Sequence, residues 1–154
     1  MNIALIGYGR MGKEIERLTQ ERNIAVVARL TSQSNTLPDD VLSTVDVAIH
    51  FAAPATVAQY VEEWAQRKKN LVIGTTGWQN DLERVRTIVE QHQIGLVYAS
   101  NFSLGVNVFN HIVKHAGVAF NKFPEYDVSI HETHHKDKLD SPSGTALALA
   151  NILL

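Results

Sequence analysis

The sequence predicts an α/β fold: a doubly wound parallel sheet followed by the start of a smaller α+β domain. Three observations lead there. Short apolar runs alternate with helical patterns over the first hundred residues. Those runs are apolar almost throughout, as strands covered on both faces are. The first run meets Gly7-Tyr8-Gly9-Arg10-Met11-Gly12, a G-x-G-x-x-G that opens a helical pattern.

Each element has its own signal. Asn2–Ile6 reads as the first strand. Residues 11–21 read as a helix with Met11, Ile15 and Leu18 on one face. Residues 24–30 are the second strand, and the polar stretch 31–43, with Pro38-Asp39-Asp40, is a loop. Residues 46–51 are the third strand. Residues 56–68 form a helix, with Val57, Tyr60, Val61 and Trp64 at helical spacing and Lys68-Lys69 near its C-terminal end. Residues 71–73 are the fourth strand, 80–92 a helix, and 95–98 the fifth strand. Strand, helix, strand in turn implies right-handed βαβ units, hence a Rossmann-like domain over residues 1–103.

The pattern then changes, and residues 104–154 read as the beginning of a second domain. Leu104–Phe120 is a long helix candidate. Residues 126–130 alternate strictly and predict a half-exposed strand. A histidine-rich stretch follows, and Ser141-Pro142-Ser143-Gly144-Thr145 opens an Ala/Leu-rich helix. The sequence stops inside that apolar pattern with no C-cap signal, so the second domain is expected to be incomplete.

Composition limits the function classes. The 154 residues are 45% hydrophobic and 19% charged, which is globular composition. Lys+Arg 14 against Asp+Glu 16 gives a net charge of −2, which argues against a nucleic-acid partner. The absence of Cys excludes a disulfide scaffold, a thiolate metal site and a Cys nucleophile. No apolar run approaches the roughly 18 residues of a membrane span, and the N-terminus lacks a signal-peptide pattern. A soluble cytoplasmic protein without a membrane partner is expected.

The glycine loop carries the first chemical signal. Gly7 allows the tight turn, Gly9 lets the backbone approach a pyrophosphate, and Gly12 lets helix and strand pack closely. The helix N-terminus offers free N–H groups to the phosphates. NAD-binding chains often place Asp or Glu about 20 residues on, at the end of the second strand. Here no carboxylate lies between Glu21 and Asp39, and Arg29-Leu30-Thr31-Ser32 occupies the position. Arg29 and the hydroxyls would tolerate a 2′-phosphate, so NADPH, or either cofactor, is expected; a merely solvated Arg29 is the plainer alternative. Gly74-Thr75-Thr76-Gly77 and Ala99-Ser100-Asn101-Phe102-Ser103 sit at strand ends, where such sheets bind ligands, although ordinary turn chemistry would also place these residues there.

His131-Glu132-Thr133-His134-His135 matches H-E-x-x-H, the zinc peptidase motif. That motif works on a helix, where i and i+4 share a face about 6 Å apart. On an extended chain the same residues lie roughly 13 Å apart, so no metal site is expected. Read as strand end and loop, His134, His135, Lys136 and Lys138 gather positive charge and transferable protons. Ser143-Gly144-Thr145 at a helix start then suits a carboxylate. The combination fits a small dianionic substrate and a general acid, against the alternative of a solvated basic loop. His50 reads as a hydrogen-bonded core residue, His111 and His115 as a packed or solvated helix face, and Trp64 and Trp78 as packing.

These motifs, with Ser100-Asn101-Phe102-Ser103-x-Gly105-Val106 and above all Glu132-x-His134-His135-x-x-Lys138-x-Asp140-x-Pro142-Ser143-Gly144-Thr145-Ala146, resemble dihydrodipicolinate reductase. The resemblance implies an oxidoreductase of the diaminopimelate route to lysine. It would transfer hydride from NADPH or NADH to 4-hydroxy-tetrahydrodipicolinate, a small cyclic dicarboxylate, giving tetrahydrodipicolinate and water. It implies His134 as proton donor with Lys138 as catalytic partner, and His135, Gly144 and Thr145 on the substrate carboxylates. Gly7, Tyr8, Gly9, Arg10, Met11, Gly12, Gly74, Thr75, Thr76, Ala99, Ser100, Asn101 and Phe102 would bind the cofactor. Thr31-Ser32 stands where the family usually has an acidic residue, which keeps NADPH and NADH both open. Members of the family continue for roughly another third of their length and form tetramers, so a homotetramer is implied for the full chain. Two other readings are weighed against this one: a zinc metallopeptidase on His131, Glu132 and His135, and a non-catalytic dinucleotide-binding sensor.

Overall fold

The computed structural model describes residues 1–136 and 141–154, and the chain divides into two units, Met1–Ser100 and Asn101–Leu154. In the first unit the five apolar runs become β1 (Asn2–Ile6), β2 (Ala25–Leu30), β3 (Val47–His50), β4 (Asn70–Ile73) and β5 (Leu96–Tyr98). All pair in parallel, in the order β2-β1-β3-β4-β5. The chain moves outward from β1 to β2 and then returns to the other side of β1. The order reverses between β1 and β3, which is the switch point where ligands meet such sheets. This is the Rossmann-like sheet expected from the sequence.

Register brings the strand ends level. Ile6 pairs with Leu30 and with His50, His50 with Ile73, and Ile73 with Tyr98. The residues after these five form one edge. Helices α1 (Arg10–Gln20), α3 (Val57–Gln66) and α4 (Leu82–His92) connect the strands, α3 and α4 each entered by a short 3-10 turn. Strand residues Ala4, Ile6, Ala48, Leu71 and Ile73 share one buried cluster with Val61 and Trp64 of α3, Val85 and Ile88 of α4, and Trp78. Trp64 and Trp78 are packing residues, as expected. Met11 departs from its expected place on an apolar face: it is half exposed, and α1 buries Gly12 and Thr19 instead.

The stretch 31–43 is not loop throughout. Asp39–Thr44 forms a short helix, α2, after Pro38. Pro38 enters it with φ −58°, Asp39 and Asp40 complement the positive end of the helix dipole in its first turn, and Leu42 is buried. The polar surface of these residues hid a helix anchored by one leucine.

The second unit holds α5 (Leu104–Phe120) and α6 (Gly144–Leu153), which contact each other. Both start on serine caps: Ser103 Oγ accepts from Val106 N–H at 3.4 Å, and Ser143 Oγ from Ala146 N–H at 3.0 Å. The strand expected at 126–130 does not form. A ladder needs a partner strand, and the described residues of this unit contain none. Tyr126, Val128 and Ile130 consequently remain exposed.

His50 closes β3 as a buried polar residue, 1% exposed. The Thr56 hydroxyl donates to Ala53 O at 2.7 Å, so its oxygen receives His50 Nε2–H at 3.3 Å. In that tautomer Nδ1 accepts from the Thr75 hydroxyl at 2.8 Å. Burial pushes the imidazole down from 6.5 to about 4, against a smaller opposing effect of its own backbone. A histidine kept neutral by the fold stabilises above its unfolded pKa of 6.5, and that stability is lost as pH falls through the window towards 4. Urea unfolding should therefore show wild type losing about 2 kcal/mol more than His50→Gln between pH 7.5 and pH 5. Parallel pH curves for the two proteins would refute this assignment.

Candidate active site

One group of candidate residues lies along the carboxyl edge of the sheet. Main-chain bonds lace its loops to neighbouring strands. Gly7 N–H donates to Leu30 O at 3.0 Å, Phe51 N–H to Ile6 O at 2.7 Å, Gly74 N–H to His50 O at 3.0 Å, and Ala99 N–H to Ile73 O at 3.2 Å. Gly7 has φ +93°, and a Cβ there would lie 2.3 Å from Phe51 O. A Cβ on Gly74 would lie 2.0 Å from the Phe51 ring. Phe51 thus fits between the two glycine loops. It was not singled out from sequence, because an aromatic residue closing an apolar run reads as ordinary core.

Gly12 is buried, and a Cβ on it would lie 2.5 Å from Gly7 O, which forces loop and helix together. Gly9 differs. A Cβ there would meet nothing within 4 Å, so its missing side chain opens space. Gly9 also caps α1 without a side-chain bond, and Lys13 N–H is the first to return, to Gly9 O at 3.1 Å. The N–H groups of Arg10, Met11 and Gly12 have no acceptor within the helix. An open backbone beside a free helix start is what a dinucleotide pyrophosphate requires, so these residues fit the group. Tyr8 is half-buried, and Arg10 and Met11 are exposed.

The G-T-T-G loop is fixed from below. Thr75 is buried, with its hydroxyl on His50 and its carbonyl accepting from Trp78 Nε1–H at 2.9 Å. Thr76 is exposed and follows on the same turn. Ala99 and Ser100 end the first unit, whereas Asn101 and Phe102 begin the second. Asn101 Oδ1 accepts from Ser103 N–H at 2.7 Å, so its acceptor is already engaged. Phe102 is half exposed.

At the end of β2 the structure supplies the carboxylate that the local sequence lacks. Arg29 donates through Nε to Glu16 Oε2 at 3.1 Å and forms an ion pair through its second nitrogen to Oε1. The Tyr8 hydroxyl donates to the same carboxylate, and the guanidinium lies 5.8 Å from the Tyr8 ring centre. Arg29, foremost, and then Tyr8 hold Glu16 down at about 2. Both expectations for Arg29, phosphate ligand or solvated side chain, miss this pairing. Glu16 is 13 residues away, on α1, outside the stretch where a sequence search looks.

A separate group of candidate residues is in the second unit. Residues 131–135 are not helical, so His131 and His135 lack the spacing a zinc peptidase needs. Among the described residues no group of three His, Cys, Asp or Glu could hold a metal. Glu132 instead joins two other features. Its Oε2 meets His134 Nε2 at 2.9 Å, and its Oε1 accepts from Ser143 N–H at 2.9 Å. Those bonds, Ser143 before His134, hold the carboxyl at about 2, ionised at neutral pH. Ser143 Oγ takes Ala146 N–H, and Ser143 O takes Leu147 N–H at 2.9 Å. The exposed Gly144 and Thr145 therefore keep N–H groups without acceptors inside α6. His135 is exposed beside His134. Lys138 lies outside the described residues. In the sequence Glu132 stands in the H-E-x-x-H match and opens the family motif; its bridge from His134 to Ser143, eleven residues on, comes from the fold.

Comparisons with known proteins show what the chain is similar to. A 4-hydroxy-tetrahydrodipicolinate reductase of Christiangramia forsetii is 40% identical over 156 residues, covering 100% of this chain and 64% of the relative. One from Methanococcus aeolicus is 35% identical, covering 97% of this chain and 48% of the relative. The solved dihydrodipicolinate reductase of Paenisporosarcina sp. TG-14, described as dipicolinate-bound, superposes with a TM-score of 0.73 at 29% identity, over 99% of this chain and 65% of that one. The chain thus spans between about half and two thirds of these proteins' lengths. The pattern for "Dihydrodipicolinate reductase, N-terminus" matches residues 1–102 and that for the C-terminus residues 105–154. The chain belongs to the dihydrodipicolinate reductase family.

Proposed function

We propose that the chain carries the dinucleotide-binding and proton-donating parts of an NADH- or NADPH-dependent reductase acting on 4-hydroxy-tetrahydrodipicolinate, in the diaminopimelate route to lysine. The observation that carries the reading is Glu132, whose carboxylate joins His134 to the start of α6. An imidazole tied to a helix N-terminus supports a proton donor beside a substrate carboxylate. The relatives' names, and dipicolinate on the solved relative, support a cyclic dicarboxylate. Cytoplasmic location and a homotetramer of the full-length protein belong to the same proposal.

The chain's own residues then divide the work. Gly7 to Gly12 receive the pyrophosphate on the open backbone at Gly9, while Gly74 to Thr76 and Ala99 to Phe102 bind the remainder of the cofactor. When bound, the nicotinamide supplies the hydride. Gly144 and Thr145 N–H groups, with His135, hold the substrate carboxylates and neutralise their charge. Glu132 receives His134 Nε2–H and so fixes the ring's orientation. In the imidazolium form Nδ1 carries the proton delivered beside the carbon that accepts hydride. Lys138 is the partner in that transfer. Positioning and charge neutralisation are the protein's share of the catalysis.

Two pairs of measurements test this. Gly9→Ala should leave the thermal midpoint unchanged and weaken NADH binding, followed by tryptophan fluorescence, by roughly tenfold or more. Gly12→Ala should instead destabilise the fold, because its Cβ meets backbone. Equal NADH affinity in wild type and Gly9→Ala would contradict the pyrophosphate assignment. His134→Gln should lower the rate of substrate-dependent NADH oxidation by roughly 10²-fold or more while leaving the NADH dissociation constant within about twofold. Full turnover without His134 would remove it from the chemistry, whereas NADH binding with no substrate-dependent oxidation in wild type would favour the sensor reading.

A further inference from the structure

The side chains of Glu16 and Arg29 are not used by the proposed chemistry, yet they cluster with Tyr8 of the dinucleotide loop. Arg29 is one residue before the end of β2, and Leu30 O receives the Gly7 N–H of the loop itself. Tyr8 is the second residue of that loop, and Glu16 lies on the helix the loop opens. All three elements therefore meet where an adenosine ribose is held in such folds. Arg29 has the charge and fork geometry for a ribose 2′-phosphate. Its Nε and a second nitrogen are both spent on Glu16, and its face lies against Tyr8. The Tyr8 hydroxyl donates to the same carboxylate, so moving Glu16 away would strip two donors at once. The neighbouring turn is closed too: Thr31 Oγ accepts from Ser34 N–H at 3.2 Å and from Gln33 N–H at 3.3 Å.

We propose that Glu16 is a specificity-determining residue, which holds Arg29 in a neutral cluster with Tyr8 so that the chain binds NADH at least as tightly as NADPH. The proposal rests on the dinucleotide-binding reading above. A 2′-phosphate has to compete with an existing charge-assisted pair for Arg29, and it brings its charge close to a second anion. NADH carries no such phosphate and meets neither cost. Arg10 and Lys13 stand on the first turn of α1, where the phosphates common to both cofactors arrive, so their charge does not discriminate.

The test compares wild type, Glu16→Gln and Glu16→Gln/Arg29→Met in fluorescence titrations with NADH and NADPH. Wild type should bind NADH with a dissociation constant no larger than that for NADPH. Glu16→Gln keeps the size and the acceptor for Tyr8 but frees the guanidinium. It should tighten NADPH by roughly tenfold and leave NADH unchanged, and the double variant should lose that gain. A wild-type preference for NADPH of tenfold or more overturns the proposal without any variant. So does an equal shift of both nucleotides in Glu16→Gln, or a gain in NADPH that survives removal of Arg29. Failure of wild type to bind either nucleotide would overturn the dinucleotide reading itself, and the proposal with it.

Discussion

Gly7 against the carbonyl of Phe51 is the contact on which the first unit depends. At φ +93°, with 2.3 Å available for a Cβ, the position admits only hydrogen. That close approach sets the turn that ends β1, brings Gly12 under the loop, and aims the free start of α1 along the carboxyl edge. Gly74 meets the Phe51 ring from β4 in the same manner. One residue at the end of β3 therefore positions loops from the strands on both sides of it. The level strand ends and main-chain bonds across the edge follow from the parallel register.

The second unit depends on a charge rather than a close approach. Glu132 remains ionised because Ser143 and His134 both donate to it. The carboxylate ties an irregular segment to a helix start across eleven residues of sequence. It takes the N–H of Ser143, the cap of α6, while those of Gly144 and Thr145 have no acceptor inside the helix. A local anion that orients an imidazole, beside a helix N-terminus that attracts one, is a workable arrangement for protonating a dianion.

Much of the first unit was legible because period and punctuation agree. Short apolar runs, those of β1, β4 and β5 bounded by glycine, correspond to all five strands, and Leu104–Phe120 matches α5 to the residue. The failures have local causes. Helix α2 presents a polar face and one buried leucine, too little for a periodic signal. Residues 126–130 have the alternation of a strand, but alternation describes a side-chain pattern and cannot supply a partner. At the site, glycines announced themselves because their role is steric and short in range. Phe51 and Glu16 did not, because each acts through a contact set by the fold; Glu132 stood out in its motif, but its bond to Ser143 is likewise set by the fold. Arg29 stands out in the sequence for its charge, but its pairing with Glu16 does not, because that partner lies on another element.

The most direct test of the account is calorimetric titration of pyridine-2,6-dicarboxylate into the full chain, alone and with saturating NADH. If the edge of the sheet holds the dinucleotide and the Glu132–His134–α6 cluster serves the dicarboxylate of one reaction, the diacid binds and NADH tightens it by roughly fivefold or more. Binding of NADH with no heat from the diacid in either condition would contradict the reading of the second unit and, with it, the reductase.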